Sequence, residues 1–385
     1  MEKKAIIISS VASMIEQFNM PNIKLLQDMG YKVTVACNFE NGSTITKSQI
    51  DKMLKLFSDE GIETLQIPIP RKISDIKNIF KSISLLKKIS MENYNIMHCH
   101  SPIGSVVARL AFNKARKKGT RVIYTAHGFH FYKGAPKKNW LVFYPIEKIC
   151  TLFTDILITI NKEDYSFAKK HFKNTNIEYL PGVGIDLKKF SKKTSETNKR
   201  RELSLKDDDI ILFSVGELNQ NKNHEVIIKA LGKLQNKKIH YLIAGIGDKH
   251  DYLLQLSKEE NVNLHLLGYR TDVKDLYAIA DIFVFPSYRE GLSVSLMEAM
   301  SIGLPCIVSR IRGNVDLIDD NLGGFLCQPD DINDFKNKIN FLLSKKEYMH
   351  NFSTYNLNKI KNFGIDNVMI LTKKIYLEGE RNEKD

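Results

Sequence analysis

Phe285-Pro286-Ser287-Tyr288-Arg289-Glu290-Gly291-Leu292-Ser293-Val294-Ser295-Leu296-Met297-Glu298-Ala299-Met300 decides how this chain is read. A buried strand runs into Pro286, a polar loop containing Gly291 follows, and the spacing predicts a helix beginning near Ser293. Strand, loop and helix N-terminus in immediate succession is the unit from which open parallel sheets are built. The free backbone N–H groups and positive dipole end of such a helix suit a phosphate.

The same alternation extends in both directions. Apolar, β-rich runs occur at 5–9, 32–37, 64–67, 96–100, 122–126, 156–160 and 177–180, and again at 210–215, 240–244, 262–266, 282–285 and 306–309, with helical patterns between them. Residues 188–209, between the two series, are polar and dense in Lys, Ser, Thr and Asp, which suits a linker and an entry helix. The expectation is α/β: two doubly wound Rossmann-like domains, 1–190 and 191–365, then a C-terminal helix in 366–385 packing back on the first. Ligands bind such sheets at the carboxyl ends of their strands, so two facing sheets put the expected site in the cleft between domains.

Of 385 residues, 43% are hydrophobic and 26% charged, enough apolar material for two cores and too much for a disordered chain. No apolar run approaches the roughly 18 to 20 residues that cross a bilayer, so no membrane span is expected. The five cysteines are widely spaced and form no CxxC pair, which fits reduced thiols in cytosol. Residues 1–190 hold 29 Lys and Arg against 16 Asp and Glu, whereas the remainder holds 28 of each, so the net charge of +13 lies in the first half. It is densest across 109–138, a stretch with no acidic residue, for which phosphate or an anionic membrane surface is the natural counterpart. Phe129, Phe131, Tyr132, Trp140, Leu141, Phe143 and Tyr144 interleave with its Lys137-Lys138 end and could rest on a cytoplasmic leaflet. The neutral second half gives nucleic acid little to bind, so none is expected.

Three groups of residues could carry chemistry. Glu290 and Glu298 are eight positions apart, at most about 12 Å of helical rise, which lets two carboxylates address both ends of a nucleotide-sugar. Lys222, in the loop after the run at 210–215, can reach the same strand ends and neutralise a leaving diphosphate. His98, His100, His127 and His130 sit at strand ends of the first half, but no second Cys/His pair completes a zinc set and no metal is expected. His127, followed by Gly128, reads better as a side chain presented to a polar substrate. Gly245-Ile246-Gly247 after a strand imitates a dinucleotide fingerprint, yet His250 stands where its last glycine belongs.

In order, these segments resemble glycosyltransferase family four, retaining enzymes of the two-domain GT-B architecture. The resemblance runs through Ala126-His127-Gly128, residues 180–186, Gly216 with Lys222, Gly245-Ile246-Gly247-Asp248, Gly268-Tyr269-Arg270, Ala280-Asp281, Glu290 to Glu298 and Gly323-Gly324-Phe325. It implies a nucleotide-sugar site in the second domain made by Gly216, Lys222, Gly245, Gly268, Tyr269, Arg270, Glu290, Gly291, Leu292, Ser293 and Glu298. By the same resemblance Glu298 holds the ribose, Glu290 the donor sugar, Lys222 the diphosphate, and His127 reaches the sugar. It further implies transfer from a UDP-sugar, without cofactor or catalytic metal, to an undecaprenyl-diphosphate-linked saccharide at the inner face of the cytoplasmic membrane, for capsule, exopolysaccharide or lipopolysaccharide. The donor sugar would be a hexose or N-acetylhexosamine. A UDP-sugar epimerase of the same architecture and a non-catalytic nucleotide-sugar-binding protein are the alternatives. Two positions depart from the pattern: Glu217 stands where the family often has a phosphate-gripping arginine, and Ser9-Ser10-Val11-Ala12-Ser13 replaces the usual paired-glycine loop. Asp207-Asp208-Asp209 contains the DxD of metal-dependent glycosyltransferases but precedes its strand in the linker, where a solvated loop is expected.

Overall fold

The computed structural model describes residues 2–190 and 196–378. Part of the expected linker and the charged end beyond Glu378 lie outside the described residues. The chain forms two compact units, Met1–Val183 with Val368–Asp385, and Gly184–Asn367. The sequence sets the boundary at residue 190, but Gly184 to Phe190 belongs to the second unit. Ile185 bridges Gly364, the Phe190 ring meets Tyr277 at 6.2 Å, and a Cβ on Gly184 would lie 2.9 Å from the Ile365 Cα.

The first unit is built on seven parallel strands, β1 (Lys4–Val11), β2 (Lys32–Asn38), β3 (Glu63–Gln66), β4 (Ile96–His100), β5 (Arg121–Ala126), β6 (Ile156–Thr159) and β7 (Asn176–Tyr179), in the order β3-β2-β1-β4-β5-β6-β7. Both faces are covered, so the two-residue period of the strands sorts side chains into two cores. Ala5 and Ile7 of β1 join Val33, Val35 and Cys37 on one face, while Ile6 and Ile8 join Met97, Cys99, Val122 and Tyr124 on the other. Val368, Ile375 and Tyr376, from the C-terminal helix Ile365–Glu378, complete the first of these cores. Helices start where short polar side chains can replace the missing turn. Thr46 and Gln49 form a reciprocal capping box, and Asn161 accepts from the Asp164 N–H at 2.8 Å.

The second unit has six parallel strands, β8 (Ile210–Val215), β9 (Ile239–Ala244), β10 (Asn263–Leu266), β11 (Ile282–Phe285), β12 (Cys306–Ser309) and β13 (Gly324–Cys327), in the order β10-β9-β8-β11-β12-β13. The order reverses between β8 and β11, and a ligand crevice is expected at this topological switch point, outside the carboxyl ends of the strands. The corresponding switch in the first unit lies between β1 and β4. No helix among the described residues is long and apolar enough to cross a membrane.

The structure corrects the reading of the basic stretch. Arg109 is fully buried and bonds Glu147 at 2.6 Å, and Arg116 pairs with Asp155 at 2.8 Å. Nor do most of the interleaved aromatics face outward. Phe129 and Phe131 are buried and stack at 4.8 Å, with Trp140, Phe143 and Tyr144 packed against the same core. Leu141 is the exception, at 78% exposed.

Candidate active site

The crevice of the second unit is assembled from backbone before any side chain enters it. Gly216 N–H donates to the Ala244 carbonyl at 3.0 Å, and Leu218 N–H to Ile246 at 3.0 Å, which lays the loop after β8 directly on the loop after β9. A Cβ on Gly245 would sit 1.8 Å from the Gly216 carbonyl oxygen, and one on Gly247 2.3 Å from that of Leu218. Both glycines are thus demanded by close approach of two loops. Gly268 bridges Gly245 from the other side. On the opposite wall, Tyr288 N–H donates to the Asn221 carbonyl at 2.8 Å and the Asn221 amide to the Arg289 carbonyl at 3.1 Å, so the loops leaving β8 and β11 are zipped together.

Lys222 closes the single 3-10 turn Gln220–Lys222, fixed by the Asn219 side chain, which accepts from the Lys222 N–H at 3.1 Å. Its stem runs across Gly216, where a Cβ would lie 3.0 Å from the Lys222 Cε. Its ammonium stands 2.7 Å from Glu290 Oε1 and 4.7 Å from the centre of the Phe285 ring. Both side chains of the pair are mostly sheltered, 18% and 15% exposed, so their attraction is screened less than at an open surface. One of the three ammonium N–H donors serves Glu290, which leaves two for other oxygens.

Glu290 precedes the helix rather than riding on it. The helix spans Val294–Ile302, and Ser293 caps it by accepting from the Leu296 N–H at 3.3 Å. The expected helical rise between Glu290 and Glu298 therefore applies only to its last turn. Gly291 and Leu292 form the bend between them, held from the turn after β12 by Arg312, which donates to the Glu290 carbonyl at 3.2 Å. Glu298 lies one turn into the helix and accepts from the Tyr277 hydroxyl at 3.0 Å. Burial pushes its carboxyl up to about 7, with the Tyr277 hydrogen bond working in the opposite direction.

The remaining expected residues separate into several surroundings. Tyr269 is 70% exposed next to Gly268. The Arg270 guanidinium is engaged by Asp272 at 2.7 Å and Glu202 at 2.9 Å, in a cluster with Lys199. Glu217 is exposed and accepts from Asn219 at 2.7 Å. Asp281 accepts from the Ile211 N–H at 2.7 Å and pins the start of β8. Asp208 and Asp209 are taken by Lys238 at 2.6 Å and by the Lys206 N–H at 2.7 Å.

His127 belongs to the first unit, just beyond β5. Its Nε2 is 3.1 Å from His100 Nδ1, and its ring is 5.3 Å from Phe18. Burial lowers it to about 4, so the ring is neutral at pH 7. His98 is held between Tyr376 at 2.7 Å and Thr125 at 2.8 Å and is lowered to about 3. No group of three or more His, Cys, Asp or Glu among the described residues is arranged to hold a metal ion. The serine-rich segment is no turn: Ser9, Ser10 and Val11 end β1, Ala12 and Ser13 begin the next helix, and Ser10 Oγ meets Ser101 Oγ, beyond β4, at 2.7 Å and accepts from the Gly104 N–H at 3.1 Å. Tyr277 and Arg312 were not among the expected site residues. Arg312 carries a legible signal, since Arg312-Gly313 follows a strand end just as Glu290-Gly291 does.

Two Rossmann-like units of parallel strands, with this polar crevice at the switch point of the second, define a GT-B glycosyltransferase. The chain belongs to glycosyltransferase family four. Residues 195–359 match the family model for glycosyl transferases group 1, and residues 8–161 match that for glycosyl transferase 4-like proteins. It is 36% identical to the Bacillus subtilis protein named "Putative glycosyltransferase EpsD", over 90% of this chain and 89% of that one. It is 30% identical to the UDP-Gal:alpha-D-GlcNAc-diphosphoundecaprenol alpha-1,3-galactosyltransferase of Escherichia coli, over 84% and 83%. The fold matches the crystal structure of Anabaena HepE in complex with UDP at a TM-score of 0.76, with 15% identity, 97% of this chain and 99% of that chain.

Proposed function

We propose that this enzyme transfers a hexose or N-acetylhexosamine from a UDP-sugar to an undecaprenyl-diphosphate-linked saccharide, with retention at the anomeric carbon and no catalytic metal. The observation that carries the reading is the sheltered Lys222–Glu290 pair at 2.7 Å, beside the capped N-terminus at Ser293. The Escherichia coli relative is named for a UDP-galactose donor and a diphosphoundecaprenol acceptor, which supports both halves of the proposal. In this scheme the bond from the anomeric carbon to the β-phosphate oxygen breaks, its electron pair leaving on UDP. The acceptor oxygen bonds the same face, and its proton passes to the departing phosphate oxygen. Lys222 and the N–H groups at Val294 and Ser295 meet the developing negative charge. Glu290 positions the sugar, Glu298 the ribose, and neutral His127 hydrogen-bonds a sugar hydroxyl. The exposed lysines of 109–138 would draw the enzyme to an anionic membrane surface.

Thermal unfolding in the presence of UDP, GDP, ADP and their common sugars, each with and without EDTA, tests the donor. A rise selective for UDP and indifferent to EDTA is expected, because a ligand that binds only the native state raises its midpoint. No response to any nucleotide would overturn the reading. Lys222→Ala should lose about 100-fold or more in turnover while keeping its unfolding midpoint, and near-normal turnover in that variant would remove Lys222 from the mechanism.

A further inference from the structure

Away from the crevice, the first unit contains an apolar cavity of about 100 Å³ beside the loops that follow β4 and β5. Ile79, from the helix Ile76–Ile89, lines it together with Ile103 and Val106 of the helix Pro102–Arg116 and Phe143 and Ile146 of the helix Lys137–Cys150. One carboxylate reaches it, Glu147, and that charge is already matched by the buried Arg109, whose guanidinium also lies 4.2 Å over the Tyr124 ring. A polar ligand would find little to bond there, and a water molecule needs several polar partners to stay.

The surroundings supply the second and third observations. Ile73 lines the cavity and is 44% exposed, so the apolar lining continues to the surface. The same helices carry Ile76, Phe80 and Leu141 at 60%, 67% and 78% exposed, an unusual concentration of bare hydrocarbon. Lys133, Lys137 and Lys138 are exposed at the N-terminal end of the helix Lys137–Cys150, whose first turn has no acidic residue. Cations at that positive dipole end work against helix stability, so their placement suits an anionic partner.

We infer that this cavity receives the hydrocarbon chain of the lipid-linked acceptor, with the lysines meeting its phosphate end. The inference rests on the acceptor class proposed above. It makes the first unit select acceptors by their chain as well as by their sugar.

Trp140, the single tryptophan, has its ring 5.6 Å from that of Phe131, which lines the cavity, so its emission reports occupancy. Purified full-length protein is titrated with dimethylallyl, geranyl and farnesyl phosphate, with inorganic phosphate as control. Saturable changes that tighten at least ten-fold from the five-carbon to the fifteen-carbon chain are expected. Val106→Phe and Ile146→Phe, on two different helices, should each weaken farnesyl phosphate at least ten-fold while retaining the wild-type unfolding midpoint. A flat chain-length series in the wild type, a response to inorganic phosphate alone, or undiminished affinity in the folded variants overturns the inference. Sugar transfer is not read in this titration. Failure of chain binding with UDP-dependent transfer intact therefore removes the cavity alone, and loss of transfer with chain binding intact removes the proposed reaction.

Discussion

At Glu298 one side chain ties stability and donor binding to the same proton. Its carboxyl is raised from 4.5 to about 7 by burial, so the fold favours the protonated form. The stabilisation from that preference is complete below pH 4.5 and is lost as pH rises through 7; at about 1.4 kcal/mol per pH unit it amounts to at most about 3 kcal/mol. A ribose contact of the kind proposed needs the carboxylate, because only that form accepts from two hydroxyls with both oxygens. UDP affinity measured by calorimetry should therefore tighten roughly ten-fold between pH 6 and pH 8, and Glu298→Gln should flatten the profile. Wild-type affinity that ignores pH across this window would take the ribose away from Glu298. The glutamate is legible in the sequence, but its state is not, since that depends on Tyr277 arriving from a helix 21 positions earlier. Gly245 shows the same division. The sequence offers the glycine and rejects a dinucleotide loop, while the actual demand, 1.8 Å from the Gly216 carbonyl, exists only once two strands lie side by side.

Among elements, the pairing of the helices Pro102–Arg116 and Lys137–Cys150 depends on Arg109 and Glu147, joined through two hydrogen bonds of 2.6 and 3.3 Å. Removing one partner leaves the other charge buried and unmatched. Arg109→Met and Glu147→Leu should each destabilise by about 3 to 5 kcal/mol in urea unfolding, and the double variant should return to within about 1 kcal/mol of wild type or exceed it. Additive losses would show that the two side chains act independently. Counting charges along 109–138 could not reveal this pair, because Glu147 lies 38 residues from Arg109 and outside the counted stretch. The strands were far more legible. Central strands such as β6 and β11 are buried on both faces and so are largely apolar, which the sequence registers directly, whereas the edge strands β3 and β10 are at most half-buried and mix apolar with polar residues. β13 escaped because Gly324-Phe325-Leu326-Cys327 opens on the second glycine of the pair Gly323-Gly324, which reads as a loop. Its Gly324 is needed in the strand itself, where a Cβ would lie 2.0 Å from the Cys306 carbonyl oxygen.

For the whole molecule, acid should act on the first unit before the second. His98, His100 and His127 cluster in the first unit, and burial lowers all three, His98 to about 3 and His127 to about 4. A histidine held neutral contributes stability that is present above its unfolded value of about 6.5 and is lost as pH falls through its folded value. His98 and His100 have ring centres 4.2 Å apart, so charging one makes charging its neighbour harder and holds His100 neutral to lower pH. In the second unit burial lowers His224, to about 3, and also the partly exposed His240 and His265, and against them stands Glu298, which gains its proton and stabilises the fold as pH drops from 7 to 4.5. Hydrogen exchange resolved by peptide should therefore show amides of β4 and β5 losing protection at a higher pH than those of β8 and β11. Simultaneous loss in both units, or earlier loss in the second, would mean that the histidine cluster does not govern acid stability. The cluster itself is visible in the sequence as His98, His100 and His127. Its burial is not, because Thr125 and Tyr376 satisfy His98 only after the C-terminal helix has docked on β4.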